Sequence, residues 1–251
     1  MTTAREASVR GVLLDVDDTL VDTRGAFTVA WRGVVAEYLP HLGSDAVGDV
    51  VQLWRADAAG HYQAYVAGRL DYEEQRRLRV NALHEHFGAA PVARGDFPRW
   101  NEAFEAGFRS GWAAFDDALA AVDDLRSAGV PVGVVTNAAA GYQQLKLEKI
   151  GLGDLPVLVG VDLFGFGKPD ARVFHEGARR LGIAPGRAAY VGDELHADGL
   201  GAARAGLLGV WLDRPGTRGR PVGEDEIAVA LDAGVRRIER LVELRAALDL
   251  P

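Results

Sequence analysis

Three carboxylates stand close together near the start of the chain, where an apolar run ends. Asp15, Asp17 and Asp18 follow the run at residues 9–14. Carboxylates this close repel one another unless a cation, a hydrogen-bond network or protonation relieves the repulsion. Alone, the cluster is also compatible with a solvated turn, so its meaning depends on which other polar residues the fold brings to it.

Further polar residues follow other short runs rich in β-branched side chains. Thr136 and Asn137 come directly after VGVV, and Asp193 comes directly after YVG. Lys168 lies in GFGKPD, and Asp198 lies in the helical stretch that follows Asp193. In a parallel sheet, ligands bind beyond the carboxyl ends of the strands, so these side chains are expected to meet there. The sequence therefore predicts one composite site.

Short apolar runs alternate with helical stretches, which is typical of a doubly wound α/β fold with a parallel sheet. The buried strands are expected to end at Asp15, Asn137, Asp162, Asp193 and Asp213. Helices are expected over residues 116–128 and 171–181, because a glycine follows each stretch.

A long interval without a convincing strand separates the first strand from the second. Apolar residues recur there with helical spacing, and helices are predicted over residues 26–39, 44–66, 71–87 and 96–112. We therefore predict an α/β core domain, residues 1–24 and 114–251, with a smaller all-helical domain, residues 25–113, inserted after the first strand.

Composition restricts the class of protein. The 251 residues are 48% hydrophobic and 25% charged, which is ordinary for a soluble globular protein. No apolar run spans a bilayer, no signal peptide is evident and cysteine is absent, so a cytoplasmic protein without a membrane partner is expected. A net charge of -8 argues against a nucleic-acid partner. A monomer and a homodimer both fit the sequence.

Together these residues resemble the four motifs of the haloacid dehalogenase (HAD) superfamily, in the expected order and over nearly the whole chain. The motifs match Asp15-x-Asp17-x-Thr19, then Thr136, then Lys168 before a proline, then Gly192-Asp193 with Asp198. The helical insert resembles the C1-type cap of subfamily I, which closes over the active site. The resemblance implies a HAD-like Rossmannoid core with a cap domain.

The resemblance also implies a mechanism, that of a magnesium-dependent phosphatase. Asp15 would attack phosphorus and form an aspartyl-phosphate, and Asp17 would act as the general acid and base. Asp15, the backbone carbonyl of Asp17 and Asp193 would hold Mg²⁺, since Mg²⁺ prefers oxygen ligands. Asp198 is expected to lie behind these ligands and to support them. Asp18 is interpreted as structural.

The transferred phosphoryl group needs positive and hydrogen-bonding partners, because its peripheral oxygens carry charge. Thr136, Asn137 and Lys168 are expected to supply them. The chain contains lysine only at positions 146, 149 and 168, so Lys168 is a specific choice over the arginine used elsewhere. Arg24, on the link that leaves the first motif, is a candidate for binding a second anionic group of the substrate.

Other reactions of the superfamily fit the sequence less well. A dehalogenase needs no acid at Asp17, and a phosphonoacetaldehyde-type hydrolase needs a cap lysine, whereas no lysine precedes residue 146. A phosphomutase would have a histidine at Phe27 and is disfavoured. That mutase and a non-catalytic phosphate-ligand sensor remain the alternatives. The expected substrate is a small phosphorylated metabolite, such as a sugar phosphate or a nucleoside monophosphate, because a closing cap excludes macromolecules.

Overall fold

The chain forms two compact units in the computed structural model, which describes residues 9–217 and 222–250. The described parts of Met1–Val21 and Ala114–Pro251 form the larger unit, and Asp22–Ala113 forms the smaller one. Residues 22–24, which are predicted in the core domain, therefore lie in the smaller unit. Within the described ranges, no helix has both the length and the apolar character needed to cross a membrane.

A six-stranded parallel sheet forms the centre of the larger unit, in the order β3-β2-β1-β4-β5-β6. The strands are β1 (Gly11–Leu14), β2 (Val132–Val135), β3 (Val157–Val159), β4 (Ala188–Gly192), β5 (Leu208–Leu212) and β6 (Arg236–Ile238). Val12 of β1 is paired with Val132 on one side and with Ala189 on the other. The strand order changes direction at β1, which confirms the predicted doubly wound α/β fold.

The smaller unit contains helices and no strand over residues 22–113, which confirms an all-helical insert after the first strand. Its helices are α1 (Thr23–Tyr38), α2 (Val47–Ala56), α3 (His61–Val66), α4 (Tyr72–His86) and α5 (Phe97–Ser110). The Asp71 carboxylate accepts a hydrogen bond from the backbone N of Glu74 at 2.7 Å and so caps α4.

The single helix predicted over residues 44–66 is wrong, because the chain forms α2 and α3 with a break between them. Asp57 has a left-handed φ of 42° and Gly60 a φ of 69°. The Asp57 carboxylate accepts hydrogen bonds from the backbone N atoms of His61 at 3.1 Å and Tyr62 at 2.9 Å. A short acidic side chain that satisfies the first N–H groups of the next helix competes with helix continuation.

Aromatic rings fill the core of the smaller unit. Trp31 and Trp100 are completely buried, and their ring centroids lie 5.6 Å apart. Phe27 stacks on Phe108 with centroids 4.7 Å apart. The position at which a phosphomutase would have a histidine is therefore occupied by a half-buried ring that stacks on another ring of this unit.

Helices cover both faces of the sheet in the larger unit. They are α6 (Ala118–Ser127), α7 (Ala140–Lys149), α8 (Val161–Phe164), α9 (Ala171–Arg180), α10 (Leu200–Arg204), α11 (Glu224–Asp232) and α12 (Leu244–Ala247). Successive strand residues point to opposite faces. Leu14 accordingly packs in one cluster with Leu125 and Leu147, and Leu13 packs in another with Phe174.

Two strand predictions need correction. The third strand ends at Val159, so Asp162 lies in α8, where its carboxylate accepts a hydrogen bond from the backbone N of Ala140 at 2.9 Å. Strand β6 was not predicted, because its three residues include two arginines. It pairs with β5, with Ile238 opposite Leu212.

Candidate functional site

The residues that follow β1, β2 and β4 lie at one edge of the sheet, because these strands are neighbours. The backbone N of Asp15 donates to the carbonyl of Val191 at 2.9 Å, and that of Thr136 donates to the carbonyl of Val159 at 2.9 Å. Asp193 is the first residue after β4. The parallel sheet thus presents an acid, a hydroxyl and a second acid at its carboxyl edge.

Lys168 is the buried cation of this edge. Its Nζ lies 3.0 Å from Asp15 Oδ1 and 2.8 Å from Asp198 Oδ1. The same ammonium donates to the hydroxyl of Tyr190 at 2.6 Å, and that hydroxyl donates to the carbonyl of Val135 at 2.8 Å. Only 3% of the Lys168 side chain is exposed. It is held in place by Asp15 after β1, Tyr190 in β4 and Asp198 in the helical turn after β4.

Burial sets the ionisation of these groups. Burial raises the pKa of Asp15 to about 7, against the opposing charge of Lys168. Burial alone would lower the pKa of Lys168, but the charges of Asp15 and Asp198 outweigh it and hold that pKa well above its ordinary value. Burial, followed by the charge of Asp18, raises the pKa of Asp193 well above its ordinary value. Lys168 is therefore charged, and the carboxylates are under-neutralised.

Three of the carboxylates could share a cation. Asp15, Asp193 and Asp198 each place one oxygen so that the three oxygens lie within 4.8 Å of one another. An all-oxygen, negatively charged donor set fits a hard divalent cation. Asp198 is already engaged, since its Oδ1 accepts from Lys168 and its Oδ2 accepts from the backbone N of Glu194 at 2.9 Å. Asp15 and Asp193 are therefore the better direct ligands.

Glycine is required beside this cluster. A Cβ atom at Gly192 would lie 2.3 Å from Asp198 Oδ2, so any other residue would displace the carboxylate. The backbone of Asp193 is fixed separately, because Trp211 Nε1 donates to its carbonyl at 2.9 Å. The cluster is thus built by the backbone as well as by its acidic side chains.

Thr136 and Asn137 hold the loop after β2. Thr136 Oγ1 accepts hydrogen bonds from the backbone N of Ala138 and from Gln143 Nε2, both at 3.2 Å. The Asn137 side chain accepts from the backbone N of Lys168 at 2.6 Å and donates to the Lys168 carbonyl at 3.1 Å. Asn137 therefore ties the Thr136 loop to the segment that carries Lys168.

Asp17 is held by two residues of α7. Lys146 Nζ forms an ion pair with Asp17 Oδ1, and Gln143 Nε2 donates to Asp17 Oδ2. Both partners are buried, with exposures of 2% for Lys146 and 0% for Gln143. Each oxygen of the Asp17 carboxylate thus has a partner on the same helix.

The structure brings together Asp15, Asp17, Thr136, Asn137, Lys168, Asp193 and Asp198 within the larger unit. Sequence reasoning missed Tyr190, Gln143 and Lys146. Tyr190 was hidden because a tyrosine inside an apolar strand is read as core. Gln143 and Lys146 lie three residues apart on the helix that begins shortly after Thr136. This spacing places both side chains on one face of the helix, and it was the available signal that they act together.

The other residues singled out from the sequence have separate roles. Arg24 lies in the smaller unit, near the start of α1, where its carbonyl accepts a hydrogen bond from Thr28 Oγ1 at 3.1 Å. Its role in substrate binding stays a prediction. Asp18 is buried, with a left-handed φ of 55°, and its backbone N donates to the Val21 carbonyl at 2.9 Å.

Comparison with known proteins gives the same family over most of the sequence. Residues 9–206 match the family of haloacid dehalogenase-like hydrolases. The glyceraldehyde 3-phosphate phosphatase of Methanothermobacter thermautotrophicus is 35% identical over 213 residues, which cover 82% of this chain and 86% of that protein. The phosphoserine phosphatase of Thermus thermophilus is 33% identical over 182 residues, or 71% of this chain and 67% of that protein.

A solved structure extends the likeness to three dimensions. A HAD family hydrolase from Deinococcus radiodurans, determined with bound phosphate and sodium, is 28% identical and superimposes with a TM-score of 0.69 over 96% of each chain. The fold, the clustered motif residues and the matched family agree. This chain belongs to the haloacid dehalogenase-like hydrolases.

Proposed function

We propose that this hydrolase is a magnesium-dependent phosphatase that cleaves a small phosphate monoester through an aspartyl-phosphate at Asp15. The observation that carries the proposal is the contact of Lys168 with Asp15 and Asp198 beside the Asp193 carboxylate. A carboxylate and a phosphate repel each other because both are negatively charged, so a nearby cation is needed when they approach. The Lys168 ammonium group is such a cation.

Covalent catalysis divides the reaction into two steps at phosphorus. In the first, an oxygen of Asp15 attacks phosphorus, the bond to the ester oxygen breaks, and Asp17 gives its proton to the departing alcohol. In the second, Asp17 takes a proton from water as that water attacks phosphorus, and the bond between phosphorus and Asp15 breaks. Inorganic phosphate leaves, and both carboxyl groups return to their starting states.

The remaining site residues are assigned to neutralising the charge of the phosphate and to orienting it. Asp15, Asp193 and the backbone carbonyl of Asp17 would hold Mg²⁺, which neutralises charge on the phosphate and on the carboxylates. Lys168 and Thr136 are assigned to the peripheral oxygens of the phosphoryl group. Both side-chain ends of Asn137 bond the Lys168 backbone, so Asn137 is assigned to phosphate binding through its main-chain N–H.

The proposed substrate is a small phosphorylated metabolite, in the class of sugar phosphates or nucleoside monophosphates. The two curated relatives act on glyceraldehyde 3-phosphate and on phosphoserine, which are both small but otherwise differ. This supports the size class without choosing the ester. The helical insert, as a cap, would supply the selecting residues, with Arg24 as the candidate for a second anionic group.

Release of inorganic phosphate from a panel of small phosphate esters tests the proposal. We expect turnover with Mg²⁺, loss of turnover with a chelator, and a loss of at least about a thousandfold in Asp15→Asn, because the nucleophile is removed. Asp232→Asn, an exposed acid on α11, is the matched control and should keep full activity. An active, correctly folded Asp15→Asn protein would contradict the assignment of the nucleophile.

A further inference from the structure

We propose that Lys146 and Gln143 of α7 are positioning residues that orient the Asp17 carboxyl group, which gives its proton to the leaving group and regains one from the attacking water. The inference rests on the proposed function, in which Asp17 is the general acid and base. It concerns two residues that no motif of the sequence analysis contains.

Each oxygen of the Asp17 carboxyl group has a partner on α7. Lys146 Nζ pairs with Oδ1, and Gln143 Nε2 donates to Oδ2. A carboxylate on a loop rotates about its side-chain bonds unless partners fix it. Two partners three residues apart on one helix fix both its direction and its rotation. The alignment of a proton donor with a departing oxygen depends on that orientation.

Lys146 and Gln143 are buried, so they are not polar surface residues that interact with solvent. Lys146 is 2% exposed and Gln143 is 0% exposed, although α7 also presents an exposed surface at Lys149. Buried charged and amide groups cost stability unless they are paired. Apolar residues at these positions would pack without that cost, so a gain other than stability is the better explanation for a lysine and a glutamine there.

Gln143 also connects the acid to the phosphate loop. The same Nε2 atom lies 3.2 Å from Thr136 Oγ1, so one amide group touches both Asp17 and the threonine assigned to the phosphoryl group. Asp17 lies after β1 and Thr136 after β2. Helix α7 therefore fixes the acid relative to the phosphate-binding loop.

The test compares two leaving groups in four variants. Lys146→Met keeps the chain length and removes the charge, Lys146→Arg restores the charge, and Gln143→Leu removes the second contact. Lys149→Met, on the same helix but exposed, is the matched control. Each protein hydrolyses an alkyl phosphate, whose leaving group needs a proton, and 4-nitrophenyl phosphate, whose leaving group does not.

We compare kcat/KM, because it reports the first step, in which the alcohol departs, whereas the water-attack step is the same for both esters. We expect Lys146→Met to lower kcat/KM on the alkyl ester by about 10- to 100-fold and on the aryl ester by less than about threefold, as part of the 10²–10⁴ that acid–base catalysis contributes. Lys146→Arg should recover most of the loss, and Lys149→Met should match wild type. Gln143→Leu should repeat the pattern more weakly, and it keeps the test open if Lys146→Met fails to fold.

Other outcomes overturn the inference. Equal loss of kcat/KM on both esters would assign Lys146 a general structural role, and a gain in kcat/KM on the alkyl ester would mean that the contact restrains Asp17 instead of aligning it. Variants that equal wild type would remove the inference and leave the phosphatase intact. A wild type that hydrolyses neither these esters nor the wider panel would remove both.

Discussion

At the residue scale, the acidic side chains of the site outnumber the two lysines that pair with them. Lys168 forms ion pairs with Asp15 and Asp198, and Lys146 forms one with Asp17. Asp193 lies beside Asp15 and Asp198. The pKa of Asp193 is raised well above its ordinary value by burial and by neighbouring carboxylates. A divalent cation would relieve this excess of negative charge, so metal and protons compete for the same carboxylates.

Stability without metal should therefore fall as pH rises. Burial raises the pKa of Asp15 from 3.8 to about 7 in the folded protein, and a raised folded-state pKa contributes stability that is complete below pH 3.8 and lost as pH rises through about 7. Asp193 acts in the same direction. Urea unfolding in chelator at pH 5 and at pH 8 should show the lower free energy of unfolding at pH 8.

Two comparisons check the cause. Asp15→Asn cannot ionise at this position, so the difference between pH 5 and pH 8 should shrink in that variant. Saturating Mg²⁺ should shrink it in wild type, because the cation favours the ionised carboxylates. A chelated wild type that is more stable at pH 8 than at pH 5 would contradict the ionisation assigned to Asp15 and Asp193.

The sequence predicted those residues of the site that directly follow a strand. Asp15, Thr136 and Asp193 directly follow strands, so the parallel sheet alone places them together. Lys146 and Gln143 could not be placed in the same way. They lie within a helix, and which of its faces meets the sheet depends on packing that a single sequence does not state.

At the element scale, a buried ion pair joins four segments of the larger unit. Arg214, just after β5, donates to both Asp117 oxygens, at 3.0 and 2.6 Å, and to the Thr19 carbonyl at 3.2 Å. The Asp117 carboxylate also accepts from the backbone N of Leu241 at 2.7 Å. The loop that carries Asp17 is thereby fastened to α6 and to the segment after β5.

Loss of Asp117 should be costly. Asp117→Ala leaves the buried Arg214 without its carboxylate and should lower the free energy of unfolding by about 3–5 kcal/mol. Asp116→Ala removes the neighbouring acid, whose side chain is 80% exposed and pairs with Arg240. That control should cost about 0–1 kcal/mol. Urea unfolding measures both, and equal small effects would contradict a structural role for the buried pair.

Helix and strand boundaries were predicted best where a local signal ends the element. The Asp71 cap marked the start of α4 correctly. The break after α2 was missed, because Asp57 is an ordinary helix-surface residue until its carboxylate turns to cap α3. Strand β6 was missed because two of its three residues are arginines, and only its pairing with β5 makes this segment a strand.

At the scale of the whole molecule, the two units have different kinds of core. The larger unit buries aliphatic side chains on both faces of a sheet, whereas the smaller one packs rings such as Trp31, Trp100 and Phe104 among helices. Apolar periodicity predicted both, because strands and helices repeat differently. The choice of substrate could not be predicted, because no motif of the sequence specifies which part of an ester beyond the phosphate is recognised.

The central claim is that Asp15 carries the phosphoryl group, and acid quenching during turnover tests it most directly. Wild type, Asp17→Asn and Asp15→Asn would be quenched while hydrolysing ³²P-labelled 4-nitrophenyl phosphate, whose leaving group needs no proton, and then digested and mapped. We expect label on the peptide that contains Asp15, more of it in Asp17→Asn because only the water-attack step is slowed with this ester, and none in Asp15→Asn. Rapid turnover with inversion at phosphorus and no labelled peptide would contradict the claim.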